Sequence, residues 1–541
     1  MIHRMGLPIL LVLLVAARSS GQTRPVGYRI SGKTVSSITG QVLPGVEVWI
    51  TKAGQFDPTA QIQKLLTGED GVFAFAGLEP GKYELAGQRN GYRRQGYEQH
   101  GMYLSAVVVG PGINSENLVF RLRPDARIVG TITDGDREPV PGAQIYLFRA
   151  DASGGLTQTY LVGQTLSDDR GYYRLSHLEP GSYFLVVSAE PWFTAFARQG
   201  GDEDEDGISL RAEKAALDAA FPITFYPGVT DAASASPVAV NDAEEFTADF
   251  TLTAIPALRL RLDHFNANPE QPKSASLKQR VFSIAVAPPA QQQVPVGDSL
   301  EVRGVPPGRY VLDIESYGPK PVTRSRVIHL AADTDLAADG ALPLPAISGV
   351  IRMDGGLELR PQAFVRLWNS RTHDVLDTQI NPSGEFSFDP DFPPSGSYSV
   401  FAFNGPYSII SGLTAEGAQV VGQSIQITGS RPVKLSVVLS TTLSTINGIA
   451  RRDGQPFPGA MVLLVPENPE INLPLFRRDQ SDSDGTFTLL DVLPGRYRIL
   501  AIENGWDMEW AKPALLKVRL DRAESLEVQP NKTYQTAVNV E

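Results

Sequence analysis

Five times along this 541-residue chain one short phrase returns: "GLEPGKYEL", "HLEPGSYFL", "GVPPGRYVL", "PPSGSYSVF" and "VLPGRYRIL". Ahead of each copy, two apolar residues alternate with polar ones: Phe73/Phe75, Tyr173/Leu175, Leu300/Val302, Phe386/Phe388 and Phe487/Leu489. Period two is the mark of a strand with one buried face. The first of each pair lies eight residues before the glycine in four copies and ten before it in the fourth. Pro-Gly then predicts a type II turn with a positive φ at the glycine. The tyrosine that follows is in phase with the next strand's inward positions: Tyr83/Leu85, Tyr183/Leu185, Tyr310/Leu312, Tyr398/Val400 and Tyr497/Ile499. A buried tyrosine hydroxyl needs a partner, so this residue reads as a structural pin. Five pinned hairpins imply five domains.

A second phrase opens most copies: "ISGKTVSSITGQVLPGVEVWI", "IVGTITDGDREPVPGAQIYLF", "INGIARRDGQPFPGAMVLLV" and, more loosely, "ISGVIRMDGGLELRPQAFVRLW". Gly32 and Gly130 stand 98 residues apart, and Gly349 and Gly448 stand 99 apart. Each copy closes on another alternating strand, such as "LVFRL" at 118–122 or "TAVNV" at 536–540. About seven strands in each hundred residues predict an all-β chain of five tandem Greek-key β-sandwich domains. The expected spans are 22–123, 124–253, a degenerate copy at 254–343, 344–442 and 443–541. Linkers as short as "RPDAR" suggest sandwiches that abut as a semi-rigid string.

The two phrases together resemble the carboxypeptidase regulatory-like domain, a transthyretin-like β-sandwich also grouped with carbohydrate-binding-like folds. The first, second and fifth copies carry the pattern well, the fourth less so and the third weakly. The resemblance implies a bacterial repeat protein with this fold. It implies no activity, because the motif residues are turn and core residues.

The start, "MIHRMGLPILLVLLVAARSSGQ", has a basic residue, Arg4, and then an apolar run of secretory length from Gly6 to Ala17. Residues 1–21 therefore read as a signal peptide, and the mature protein as exported, periplasmic or extracellular, with no membrane span. There is no cysteine, so packing alone must hold each domain. The formal charge of −12 argues against nucleic acid.

Catalytic patterns are missing from the sequence. None of the six histidines begins an H-x-x-E or H-E-x-x-H zinc motif, and there is no G-x-S-x-G elbow. The expectation is no enzyme and no cofactor. An insertion after "SAEPWF" holds "DEDEDGISLRAE", in which Asp202, Asp204, Asp206, Gly207 and Glu213 have the spacing of a calcium loop. Ser209 breaks the pattern, and a solvated acidic loop is the preferred reading, with no metal assigned.

Aromatic clusters remain. Sugar rings lie flat on tyrosine and tryptophan, so Tyr92, Tyr97 and Tyr103, Trp192, and the pair Trp506 and Trp510 are candidates for carbohydrate binding. Trp49 and Trp368 fall inside strands and are expected in cores. The resulting expectation is a non-catalytic exported protein that binds carbohydrate or another cell-envelope polymer. A structural spacer or protein-interaction scaffold is the alternative. Aromatics exposed on loops would favour the first, and aromatics buried between domains the second.

Overall fold

The computed structural model describes residues 27–54, 63–113, 115–192, 218–265, 273–317, 322–338, 347–354, 359–369, 374–388, 396–404, 409–428 and 431–541. The expected signal peptide, residues 1–21, and the expected acidic loop, Asp202 to Glu213, lie outside them.

The first sandwich sets the pattern. Its strands are β1 (Tyr28–Ser36), β2 (Glu47–Lys52), β3 (Gln63–Leu66), β4 (Val72–Leu78), β5 (Gly81–Arg89), β6 (Tyr92–Gly96), β7 (Val107–Val109) and β8 (Leu118–Leu122). One sheet runs β4-β1-β8 and the other β3-β2-β5-β6, with β7 also on β5. Ile30, Val48, Phe73, Leu85 and Phe120 fill the space between them. In all five sandwiches the opening strand pairs in parallel with the last: β1 with β8, and likewise Ala126–Asp134 with Phe250–Leu252, Leu258–Asp263 with Thr334–Ala337, Ile347–Met353 with Val433–Leu439 and Ser444–Arg452 with Thr533–Asn539. A parallel pair at the ends of a unit closes it like a Greek key. Each unit has its own apolar core, the others being built around Ile128 and Leu185, Leu277 and Leu312, Val365 and Val400, and Ile446 and Ile499.

The repeated glycine and the repeated aromatic are one device. Gly32, Gly130, Gly349 and Gly448 sit directly across the ladder from Phe73, Tyr173, Phe386 and Phe487. A Cβ at Gly448 would come within 2.2 Å of the Phe487 ring, and one at Gly349 within 2.4 Å of the Phe386 ring. The ring covers the glycine backbone and needs the space. In the third sandwich both partners change together: Leu262 pairs with Leu300, two mid-sized side chains replacing a ring and a hydrogen.

The tyrosines act as pins. The hydroxyls of Tyr83, Tyr183, Tyr310 and Tyr497 donate to the carbonyls of Glu79, Glu179, Pro306 and Leu493, each four residues back, at 3.1, 2.6, 2.6 and 2.8 Å. Burial pushes the Tyr497 phenol up to about 12. The expected type II turn is replaced by a two-step reversal. The left-handed residue comes four positions before the turn glycine, at Gly77, His177, Gly304 and Asp491, while Gly81 and Gly495 have φ of 153° and 159°. These residues mark bulges where the ladder register slips, as between Leu175 and Leu178, so the strand has begun to bend before Pro-Gly is reached.

The chain is not an open string. Beyond the contacts between neighbours, the fifth sandwich docks on the first and the second. The contacts join residues more than 350 positions apart in sequence, and this closure positions the candidate site.

Candidate functional site

The junction is built from the outer face of the fifth sandwich. The strand Met461–Pro466 is buried along its whole length, one side in the fifth core and the other under a second apolar layer. That layer contains Met461, Leu463, Leu500, Trp506, Trp510 and Leu516 of the fifth sandwich, together with Tyr103 of the first and Leu156 of the second. Trp506 lies in a short 3₁₀ turn, Gly505–Asp507, and Leu516 on the helix Pro513–Leu520.

Trp506 and Trp510 are 8% and 7% exposed. The His100 ring stacks on Trp506 at 5.1 Å and 10° between planes, and Tyr103 tilts against it at 5.4 Å. The Arg478 guanidinium stands over Tyr103 at 4.8 Å and over Trp510 at 4.7 Å. Trp510 fits because the second sandwich offers a glycine: a Cβ at Gly155 would be 2.8 Å from its ring. The Ala511 amide donates to the Gly155 carbonyl at 2.9 Å, and Thr157 donates through its amide and hydroxyl to Glu509.

Polar contacts surround this apolar plug. Ser105 Oγ donates to the Ser481 carbonyl at 2.9 Å, the Ala106 amide to Asp482 Oδ1 at 2.9 Å and the Val108 amide to Ser483 Oγ at 2.9 Å. The Ser483 amide returns a bond to the Ala106 carbonyl at 3.0 Å. Gln480 donates to Ser105 Oγ and meets His100 Nδ1 at 3.1 Å. Lys82 pairs with Asp482. Burial raises the Asp482 carboxyl, opposed by Lys82, and burial lifts Asp479 to about 7.

Three of the sequence-derived candidates, Tyr103, Trp506 and Trp510, are thus brought together, from opposite ends of the chain. They meet as a packed joint, with the rings lying against the first and second sandwiches. Tyr97 is half-buried and meets Phe120 edge-on at 6.2 Å in the first core. Trp192 is 61% exposed. Trp368 is buried, 3% exposed, but lies out of phase with the core residues Val365 and Leu367 and packs beside Phe401 at 6.3 Å.

Tyr92 occupies a different place, a cleft of about 590 Å³ where the first sandwich meets the second. Arg93 and Glu179 pair across this junction at 2.8 Å, and His177 pairs with Asp125 at 2.8 Å. Beside the cleft stands Trp49, which is half-buried and faces outward from β2, so its expected place in the core is corrected. Val48 and Ile50 take the inward positions, and the period-two pattern of β2 carries that signal. Arg94 stacks over Trp49 at 4.9 Å and Arg89 over Tyr92 at 5.4 Å. Among the described residues, no group of three or more acidic or histidine side chains is placed to hold a metal ion.

Residues 29–123 and 127–198 match the carboxypeptidase regulatory-like domain. No curated protein matches the chain. Among solved structures it is similar to the Bacillus anthracis TIE protein, with 10% identity, 95% of this chain and 74% of that one covered and a TM-score of 0.16. It is also similar to GBS52, the minor pilin of Streptococcus agalactiae (12% identity, 42% and 97% covered, TM-score 0.20). A third is BcpA, the major pilin subunit of Bacillus cereus (12% identity, 77% and 99% covered, TM-score 0.15).

Proposed function

Two carboxypeptidase regulatory-like sandwiches head this chain, and from that premise we propose that the protein is a non-catalytic, exported scaffold of the cell surface. Its five sandwiches are held in a fixed mutual arrangement so that surfaces on different domains face a partner together. The supporting observation is the fate of the tryptophans. Trp506 and Trp510 fill a joint between the fifth, first and second sandwiches, which is how a scaffold spends large aromatics. A docked interface with a buried apolar centre and a ring of hydrogen bonds has the anatomy of a stable association.

Small-angle scattering tests this reading. Ser105→Arg places a long charged side chain where a serine is 1% exposed. The variant is expected to increase the radius of gyration while the individual sandwiches still melt cooperatively. A wild-type protein already as extended as the variant would overturn it.

A second reading, carbohydrate binding, is favoured by the cleft beside Tyr92. Its walls combine amides, carboxylates and guanidinium groups stacked on aromatic rings. That is the mixture a hydroxyl-rich ligand uses. A polysaccharide pull-down with the mature chain tests it.

A further inference from the structure

We infer that the cleft between the first and second sandwiches binds a polysaccharide carrying carboxylate groups, a uronate polymer, through Arg89 and Arg94. The inference rests on the carbohydrate reading above and narrows it to one site and one ligand class.

The cleft's charges do not cancel. Glu47 accepts from Lys64 at 3.1 Å and from Gln88 at 2.8 Å, and these bonds hold its carboxyl below the usual range. Asp125 is paired with His177, and Glu179 with Arg93 and Arg149. Glu47 and Glu179 thus each have a cationic partner, and Asp125 meets the His177 ring. Arg89 and Arg94 have no carboxylate among the described residues, although both line the cleft. In a protein of net charge −12, two unmatched guanidinium groups in one concavity form a local site of opposite sign.

They are also held ready. Each lies over an aromatic ring, Arg89 on Tyr92 and Arg94 on Trp49. Stacking uses the face of a guanidinium and leaves its edge, where the N–H groups point, free for bidentate capture of a carboxylate. Less side-chain entropy is then lost on binding. Arg89 and Tyr92 are cross-strand partners at the Asn90-Gly91 hairpin, so the backbone fixes their approach.

The rest of the lining selects sugar over an acidic peptide. Asn90 is exposed in the cleft, and the two Glu47 oxygens keep acceptor capacity there beyond the bonds from Lys64 and Gln88. Sugar hydroxyls can donate to those oxygens, whereas acidic side chains offer them only repulsion. A cleft of this volume accommodates a few sugar residues.

The test is affinity electrophoresis of the full mature chain in gels containing polygalacturonate, a neutral glucan or polyglutamate. Retardation by polygalacturonate, weakening as salt rises, is expected. Arg89→Gln with Arg94→Gln should weaken it at least about 10-fold, as loss of two charge-assisted contacts implies. Trp49→Leu, which removes the platform and keeps Arg94, should weaken it less. Melting of the double arginine variant should match the wild type, because both side chains are at the surface. Equal retardation of the double variant would overturn the site. Retardation by polyglutamate alone would overturn the ligand class in favour of an acidic peptide. Binding to the neutral glucan, unaffected by the arginine changes, would sink this inference while leaving carbohydrate binding standing. No retardation in any polysaccharide gel would remove both.

Discussion

Two of the interfaces that hold the domains together are made of different material. Between the second and third sandwiches, Phe282 inserts among Phe148, Phe184 and Phe225 at ring distances of 5.0, 5.0 and 5.6 Å, backed by Val186, Ile223 and Val281. Between the first and fifth, an aromatic plug is bordered by Lys82, Asp482, Gln480 and serine hydroxyls. The first joins chain neighbours, for which little entropy is lost on contact, and resembles a domain core cut in half. The second must be found by surfaces distant in sequence. Its directional hydrogen bonds fix the register of docking, and its buried carboxylates make it responsive to its surroundings.

The comparison can be broken most severely at its centre. Trp510→Ala should cost the fifth sandwich and its docking together about 3–5 kcal/mol, the range for deleting a large buried aromatic. Melting followed by scattering and tryptophan fluorescence would show the fifth sandwich released first. Phe282→Ala should cost about 2–4 kcal/mol, less because that ring is only partly buried, and should loosen the second and third sandwiches from each other without opening the first–fifth contact. If the two variants open the same contact, the interfaces are not separable.

A subtler prediction uses acidity. A carboxyl whose pKa is raised by folding binds its proton more tightly in the folded, docked state, so stability is greatest below the ordinary carboxylate range and falls as pH rises. For Asp479 that loss runs from about 4 up to its value of about 7 and then levels off, and Asp482 shifts in the same direction. A melting curve measured from pH 4 to 8 should therefore slope downward for the fifth sandwich, and Asp479→Asn should flatten it. The phenylalanine interface should show no comparable slope. The smallest effect expected is that of Tyr497→Phe, about 1–3 kcal/mol, since the Leu493 carbonyl loses a buried donor; it should lower the fifth sandwich's melting and leave both interfaces in register.

The interior of each sandwich was legible because it is written locally. Alternation placed Phe73, Phe75, Tyr83 and Leu85 in one core, and Pro-Gly-x-Tyr marked where the chain turns back. The loss of the opening glycine in the third copy looked like degeneration. The paired exchange of Leu262 and Leu300 shows it to be a coupled repacking. The joints were not legible. Ser105, Gln480, Ser481 and Asp482 have no periodicity and no distinctive composition, and their contacts span about 376 residues. Trp506 and Trp510 stood out in the sequence, but whether a ring on a loop meets water or another domain depends on what lies opposite. For Trp49 the signal was present, since it is out of phase with Val48 and Ile50.

The docking of the fifth sandwich on the first also has a mechanical meaning. A pull applied between these two domains is carried first by bonds such as Ser105 to Ser481 and Ala106 to Asp482, loaded side by side. While they hold, the third and fourth sandwiches lie off the line of tension. When they and the bonds from the fifth sandwich to the second part, the intervening domains are released as slack, and the tether lengthens without any of them unfolding. A protein built this way absorbs a sudden tug by opening a clasp that can close again.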